Sequence, residues 1–198
     1  MTCRVVKVGG SLLSRADLPA ALSRWLKTQS PTETYVIVGG GHLVDAIREL
    51  DQLRPMDSAS VHWTCVELLN VTGRMVAQWL SWPCVETREA FEQLRRQQNL
   101  DPATTVILPS TFYDAAVPDL PVTLPHDWRT TTDSIAGLLG VLLQADEVVL
   151  LKSCQVDPLA SLQQLAEEGV VDTAMPAMKD SLPTVRVECL PSTAEQRG

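Results

Sequence analysis

The sequence has no apolar run approaching the roughly 18 residues of a membrane-crossing helix, so no transmembrane span is expected. It has no basic stretch followed by an apolar segment near its start, so no signal peptide is expected either. It has no C-x-x-C pair. Its five cysteines, Cys3, Cys65, Cys84, Cys154 and Cys189, are scattered, which suits neither a zinc site nor a disulfide framework. They read as reduced thiols in a cytoplasm, packed as small core hydrophobes. Positive charge is in deficit, 16 Lys and Arg against 24 Asp and Glu, a formal net charge of -8. That excludes a nucleic-acid backbone as the main partner and requires any phosphate to be held locally. There is no internal repeat and no low-complexity linker. There is no G-x-x-x-x-G-K-[ST] phosphate loop, and Gly39-x-Gly41-x-x-Val44 lacks the third glycine of the dinucleotide fingerprint. No acidic strand end follows about 20 residues later, which argues against a dinucleotide oxidoreductase.

What is present is a chain of 198 residues with 45% hydrophobic composition, enough for one domain, 1–198, with a full-sized core. Strand and helix patterns alternate. "CRVVKV", "TYVIV", "PCVE", "ATTVILP", "DEVVLLK" and "TVRVECL" read as strands. "DLPAALSRWLKT", "HLVDAIRELDQL", "TREAFEQLRRQ", "TTTDSIAGLLGVLLQA" and "PLASLQQLAEEG" read as helices, the last stopped by Gly169. "DSASVHWTCVELLNVTGRMVAQWL" predicts a long helix capped at Asp57 or Ser58, with Val61, Cys65, Leu68, Met75 and Trp79 as its apolar stripe. Residues 110–128 read as a proline-rich loop, and the last residues, "PSTAEQRG", as frayed. Strands separated by helices imply parallel pairing in an α/β three-layer fold, and continuous apolar strands imply cover on both faces.

Ligands in such sheets sit beyond the carboxyl ends of the strands. Two glycine-rich turns fall there, Gly9-Gly10-Ser11 and Gly39-Gly40-Gly41, each followed by a helical segment. Bare backbone N–H groups near helix starts make an anion pocket. Lys7 interrupts an apolar strand two residues before the first turn, and Lys152 closes the strand "VVLLK". Asp133 falls in the first turn of the "TTTD" helix, a good place for a carboxylate on dipole grounds alone and also a place from which to orient both lysines. Two lysines and one aspartate at strand ends form a phosphoryl-transfer constellation. His62 and Trp63 are candidates for an acceptor pocket, flanked by Trp128 and Arg129. Asp45, Arg48 and Glu49 read as a solvated helix face.

Taken together, "VVKVGGSLL", "YVIVGGGHLVDAIREL", "HDWRTTTDSIAGLLG", "DEVVLLKSCQVD" and "GVVDTAMP" resemble the amino acid kinase family, from residue 4 to about residue 178. The short length, "VHWTCVELLNVTG" and "LPHDWRTTTDSIA" look most like its small methanofuran-biosynthesis branch, in C1-cofactor metabolism. The resemblance implies a three-layer αβα sandwich with an eight-stranded, mainly parallel sheet. It implies an acceptor over the N-terminal half, about 1–125, and a nucleotide over the C-terminal half, about 126–190. It implies a cytoplasmic, self-associating kinase that uses ATP and Mg²⁺ on a small-molecule acceptor, an aminomethylfuran-methyl phosphate in that branch. Lys7 matches the lysine on the transferring phosphoryl group and Asp133 the aspartate that organises the lysines. Gly9, Gly10, Gly39, Gly40 and Gly41 match the backbone donors, with Ser11 beside them. Lys152, Ser153 and Asp157 lie in the nucleotide segment, and His62, Trp63 and Arg129 fall on the acceptor side. Two positions depart from the pattern. Lys179 stands one place late in "AMPAMK", after an intervening proline. Arg129 stands where acetylglutamate kinases carry asparagine, which suits an acceptor with its own negative charge. The alternative function is a nucleotide or oxyanion binder on the same fold, which has no need of Lys7 and Asp133 together.

Overall fold

The computed structural model describes residues 3–96, 103–117 and 119–192. At its centre is β1 (Cys3–Val8), whose β-branched run has no polar side to give to solvent and is buried from Arg4 onward. Pleating sends Val6 and Val8 to one face and Val5 and Lys7 to the other. β2 (Glu33–Val38), β3 (Cys84–Val85) and β4 (Thr104–Ile107) build on one side of β1. β5 (Glu147–Lys152) and β6 (Thr184–Cys189) build on the other. The order is β3-β4-β2-β1-β5-β6, with every adjacent pair parallel. The resemblance implied eight strands; the described residues form six. Between β5 and β6 the chain makes one short helix and a 3-10 turn at Met175–Met178, with no inserted strand.

The helices α1 (Leu18–Thr28), α2 (His42–Leu53), α3 (Ser58–Leu80), α4 (Arg88–Arg96), α5 (Thr132–Leu143) and α6 (Leu162–Glu167) cover the sheet. On one face Val6, Val8, Val36, Val38, Val149 and Leu151 meet α1 through Leu18, Leu22 and Trp25. On the other Val5, Ile37, Val148 and Leu150 meet α5 through Ile135, Leu138 and Leu139. Helix α3 serves both cores, giving Val66 and Leu69 to the second and Val76 and Ala77 to the first. Asp57 caps it by accepting from Ser60 N. No helix among the described residues is long and apolar enough to cross a membrane.

Three expectations need correcting. The buried stripe of α3 is rotated from the predicted one: Val61, Val66, Leu69, Val76 and Ala77 point inward, while Met75 and Trp79 are 40% and 44% exposed. Gly73 explains the rotation, because a Cβ there would lie 2.7 Å from Leu108 Cδ2; the helix comes closest to the sheet along that bare line. Helix α6 starts later than "PLASLQQLAEEG" predicts, at a capping box in which Ser161 and Gln164 bond reciprocally. Asp157 to Ala160 instead form a turn closed by Asp157. The cysteines are not core residues either: four are half-buried and Cys154 is exposed. Gly169 ends α6 at a φ of +71°, as expected. The frayed ending "PSTAEQRG" lies largely outside the described residues.

Candidate active site

The chain leaves β1 toward β2 on one side and later returns to place β5 on the other, so the point of reversal lies at the carboxyl ends of β1, β2 and β5. That crevice is where open parallel sheets bind ligands, and a cavity of about 330 Å³ lies there. Lys7 is on the α5 face of β1 by the pleat, and its Nζ is 2.8 Å from Asp133 Oδ1. Lys152, the last residue of β5, donates to both carboxylate oxygens of Asp133, at 2.9 and 2.7 Å. All three side chains line the cavity and are nearly out of water. Burial pushes the Asp133 carboxyl up, but the ammonium groups of Lys7 and Lys152 outweigh it and hold Asp133 below the usual carboxylate range. Burial, then repulsion from Lys7, lowers Lys152, against the pull of Asp133. Asp133 is thus a clamp on two cations and a poor proton acceptor.

The two glycine turns touch. A Cβ on Gly10 would lie 2.3 Å from Gly41 N, and one on Gly39 2.6 Å from Gly10 N, so only glycine lets the backbones meet. The predicted donors divide on inspection. The amides of Gly9 and Gly39 are spent on Leu151 O and Val8 O, extending the sheet, so these two residues give close approach and no donor. Gly10, Ser11, Gly40 and Gly41 line the cavity, and their amides have no hydrogen-bond partner among the described residues. Gly41, at φ +52°, starts α2 and brings its N-terminus to the same place.

The opposite wall comes from α2, α3 and residues 126–132. His62 is buried, with Nε2 2.9 Å from the Tyr113 hydroxyl, and it lines the cavity. Burial, and then His126, lowers its pKa and favours the neutral ring. Trp63 stands behind it, packed on Tyr113 and His126 and away from the cavity lining. Arg129 is also outside the lining; it turns out to solvent and forks onto Asp127. The guanidinium that does line the cavity is Arg48, lying 4.7 Å over the Trp128 ring and donating to Asp45 at 2.9 Å. Trp128 is fixed by donating to Asp51. So Asp45 and Arg48, read from sequence as a solvated face, belong to the site. Their only signal was the i, i+3 spacing just after the glycine turn. Thr130 also lines the cavity, and its Oγ1 is buried without a hydrogen-bond partner among the described residues.

Of the residues expected to contact a nucleotide, Ser153 is exposed and pairs with Ser11, Oγ to Oγ, at 2.8 Å. Asp157 and Lys179 do not reach the first cavity. They line a second one, of about 480 Å³, between α6 and β6. No group of three ligating side chains suitable for a metal occurs among the described residues, and Asp133 is taken by two lysines. The donor set does not fit a dedicated Mg²⁺ site.

A model described as the amino acid kinase family matches residues 2–157. The curated [5-(aminomethyl)furan-3-yl]methyl phosphate kinase of Methanocaldococcus jannaschii is 24% identical over 147 residues, 74% of this chain and 63% of that protein. The match therefore spans less than two thirds of that relative's length. Among solved structures, UMP kinase of Bacillus anthracis superposes with a TM-score of 0.65 at 11% identity, over 99% of this chain and 90% of that one. UMP kinase of Ureaplasma parvum gives 0.63 at 14%, over 100% and 96%. Uridylate kinase of Archaeoglobus fulgidus gives 0.59 at 16%, over 96% and 91%. At these identities the likeness to solved structures is one of fold.

Proposed function

The chain belongs to the amino acid kinase family, and from that premise we propose that it transfers the γ-phosphate of ATP to a small acceptor already carrying an anionic oxygen. The observation that carries this reading is the Asp133 bridge between Lys7 and Lys152 beside four bare amides. A hydroxyl acceptor needs a base to remove its proton, and a carboxylate held between two ammonium groups is a poor one. A phosphate or carboxylate oxygen needs none. In the proposed step that oxygen bonds to the γ-phosphorus as the bond to the βγ-bridging oxygen breaks, and the electron pair leaves on ADP. Lys7, Lys152 and the amides of Gly10, Ser11, Gly40 and Gly41 meet the charge on the transferring group, so catalysis is positioning and charge neutralisation. Mg²⁺ would supply further charge neutralisation when brought in with ATP, since the described residues offer it no cage of their own.

For the acceptor we propose an aminomethylfuran-methyl phosphate or a near analogue, which places the reaction in C1-cofactor biosynthesis. The name of the M. jannaschii relative supports this. So does the cavity wall: Arg48 suits a phosphate fork, Trp128 and His62 suit an aromatic ring, and Asp45 and Asp127 suit an ammonium. The test is ³¹P NMR of the purified protein with ATP, Mg²⁺ and this acceptor. Loss of ATP with equimolar ADP and a new diphosphate is expected. Stabilisation by ATP with no turnover on any phosphate or carboxylate acceptor overturns the kinase reading in favour of a binding protein.

We also propose a homo-oligomer built on α2 and α3. Of the eight large apolar side chains left exposed among the described residues, Leu43, Leu50, Leu53, Met56, Val71, Met75 and Trp79 fall on or between these two helices. Glu67 and Arg74 lie on the same flank of Val71, about one turn to either side of it. A two-fold, antiparallel crossing at Val71 sets Glu67 of one copy against Arg74 of the other. Sedimentation of Met75→Glu should give a lighter species than the native chain.

A further inference from the structure

We propose that Asp172 is a positioning residue for phosphoryl transfer: its carboxylate holds the first turn of α5, and with it Asp133, and supplies a second negative charge for Lys152. Asp172 lies just after α6, far in sequence from the residues it holds, and is 8% exposed. Its Oδ2 accepts from Thr131 N at 2.7 Å, Thr131 Oγ1 at 2.9 Å and Ser134 N at 3.0 Å. Its Oδ1 accepts from Met175 N at 3.0 Å and from Ser134 Oγ. Five donors on one buried carboxylate leave it no freedom.

Helix α5 has no side-chain cap of its own: Thr131, at the capping position, makes none. Asp172 takes over that role from a distant segment. Thr131 and Ser134 bracket Asp133, so the two bonded residues fix the backbone from which Asp133 reaches the lysines. The Asp172 carboxyl also lies near enough to feel Asp133, which, after burial, raises it. The cap uses both oxygens, so asparagine, whose NH2 group would face at least two of the five donors, could not replace it in full. The charge has a use in the balance of the buried cluster. Lys152 of β5 faces Lys7 of β1, Asp133 of α5 and Asp172, and the last two favour its ammonium form. Two cations against one carboxylate would leave a buried net charge; Asp172 removes it.

The catalytic consequence rests on the kinase reading; the electrostatic one does not, and the experiment separates them. Asp172→Asn keeps the size and one acceptor oxygen, removes the charge, and turns an NH2 group toward at least two of the five donors. In the full chain, Lys152 is titrated by its reactivity toward an acylating reagent across pH, read by peptide mass spectrometry. The variant should shift the Lys152 midpoint to lower pH, because the ammonium has lost a counter-charge; an unmoved midpoint overturns the proposal even if no acceptor is ever found. With an active acceptor, kcat should fall about tenfold, equivalent to roughly 1.4 kcal/mol on the barrier. KM for ATP should stay near normal and the alkaline limb of the rate should move to lower pH. A lower melting temperature with kcat and that limb unchanged marks a merely structural cap and overturns it. Should Asp172→Asn not fold, Ser134→Ala removes one donor and keeps the carboxylate. With the counter-charge kept, the Lys152 midpoint should stay in place while kcat falls severalfold as the first turn of α5 loosens; a midpoint moved to lower pH, or an unchanged kcat, overturns the proposal.

Discussion

The two sides of the cavity at the carboxyl ends of the strands hold charge in opposite ways. On the floor, Lys7, Asp133 and Lys152 have side chains 7%, 4% and 11% exposed, and every charge is clamped by another. On the outer wall, Asp45 and Arg48 are 53% and 42% exposed, and Arg129, just outside the lining, is 65% exposed; each pairs with a sequence neighbour two or three residues away. Attraction between charges grows as water leaves, so the floor is stiff and its pairs are strongly coupled. The wall's pairs sit in water, are screened and exchange partners at little cost. A group that must meet developing charge without rearranging belongs on the floor. Groups that must release one partner to take up an acceptor belong on the wall.

The comparison breaks first, if it is wrong, at Asp133. Asp133→Asn leaves two buried ammonium groups facing each other, and removal of one member of a buried pair costs about 3–5 kcal/mol. A large fall in melting temperature is expected at pH 7. Because the native carboxyl lies below its ordinary value of 3.8, its contribution is complete above that pH and is lost as pH falls through the folded value. The difference between native and variant proteins should therefore shrink in acid. A variant as stable as the native chain at pH 7 would show that the clamp is solvated and the floor no different from the wall.

Lys7 is the next largest. Lys7→Met keeps the stem's packing and removes the charge, so it should lower kcat by about 10²–10³, or ~2.7–4 kcal/mol, with a much smaller change in KM. Steady-state kinetics with a genuine acceptor checks it. A normal kcat with a lower melting temperature would reassign Lys7 to structure.

The same division governs what the sequence makes legible. Lys7 in an apolar strand, the paired glycine turns and Asp133 after "TTT" stand out because they break local rules at strand ends and helix starts. The six strands and the crevice between them follow from alternation of pattern and the parallel rule. The wall does not stand out. Asp45 and Arg48 look like any polar face of a surface helix, and only the approach of Trp128, from the far end of a long loop, makes them part of a site. Arg129 carries the more suggestive sequence context and turns to solvent. Asp172 is invisible for a related reason: a cap is sought within its own helix, and this one comes from another segment. Rotation of α3 about Gly73 is set by contact with Leu108, which no periodicity reports.

Arg48 sharpens the comparison at intermediate size. Arg48→Ala removes a half-exposed guanidinium and the stack on Trp128. KM for a phosphate acceptor should rise about tenfold, within the range of a charge-assisted hydrogen bond. Stability, kcat and KM for ATP should be nearly unchanged. An equal rise in both KM values would move Arg48 to the nucleotide side and dissolve the division between floor and wall.

The smallest effect is expected at Arg129, and for that reason it discriminates best between sequence context and placement. Its neighbours in "HDWRTTTD" make it the natural phosphate ligand on paper. In the structure Asp127 takes its Nε and Nη2, and the group lies outside the cavity lining. The Asp127 carboxyl is held below its usual range chiefly by that guanidinium. An ion pair this exposed contributes little, so Arg129→Ala should change melting temperature, kcat and both KM values by less than about twofold or a degree or two. Asp127 itself also accepts from the Arg129 backbone N, a bond the substitution leaves in place, so the turn before Thr130 should keep its shape. Arg48→Ala and Arg129→Ala, measured side by side on one phosphate acceptor, give the decisive pair. A tenfold rise in acceptor KM for the first and none for the second assigns the phosphate to α2. The reverse result means that Arg129 swings inward when the acceptor binds, leaving Asp127 behind as the free carboxylate.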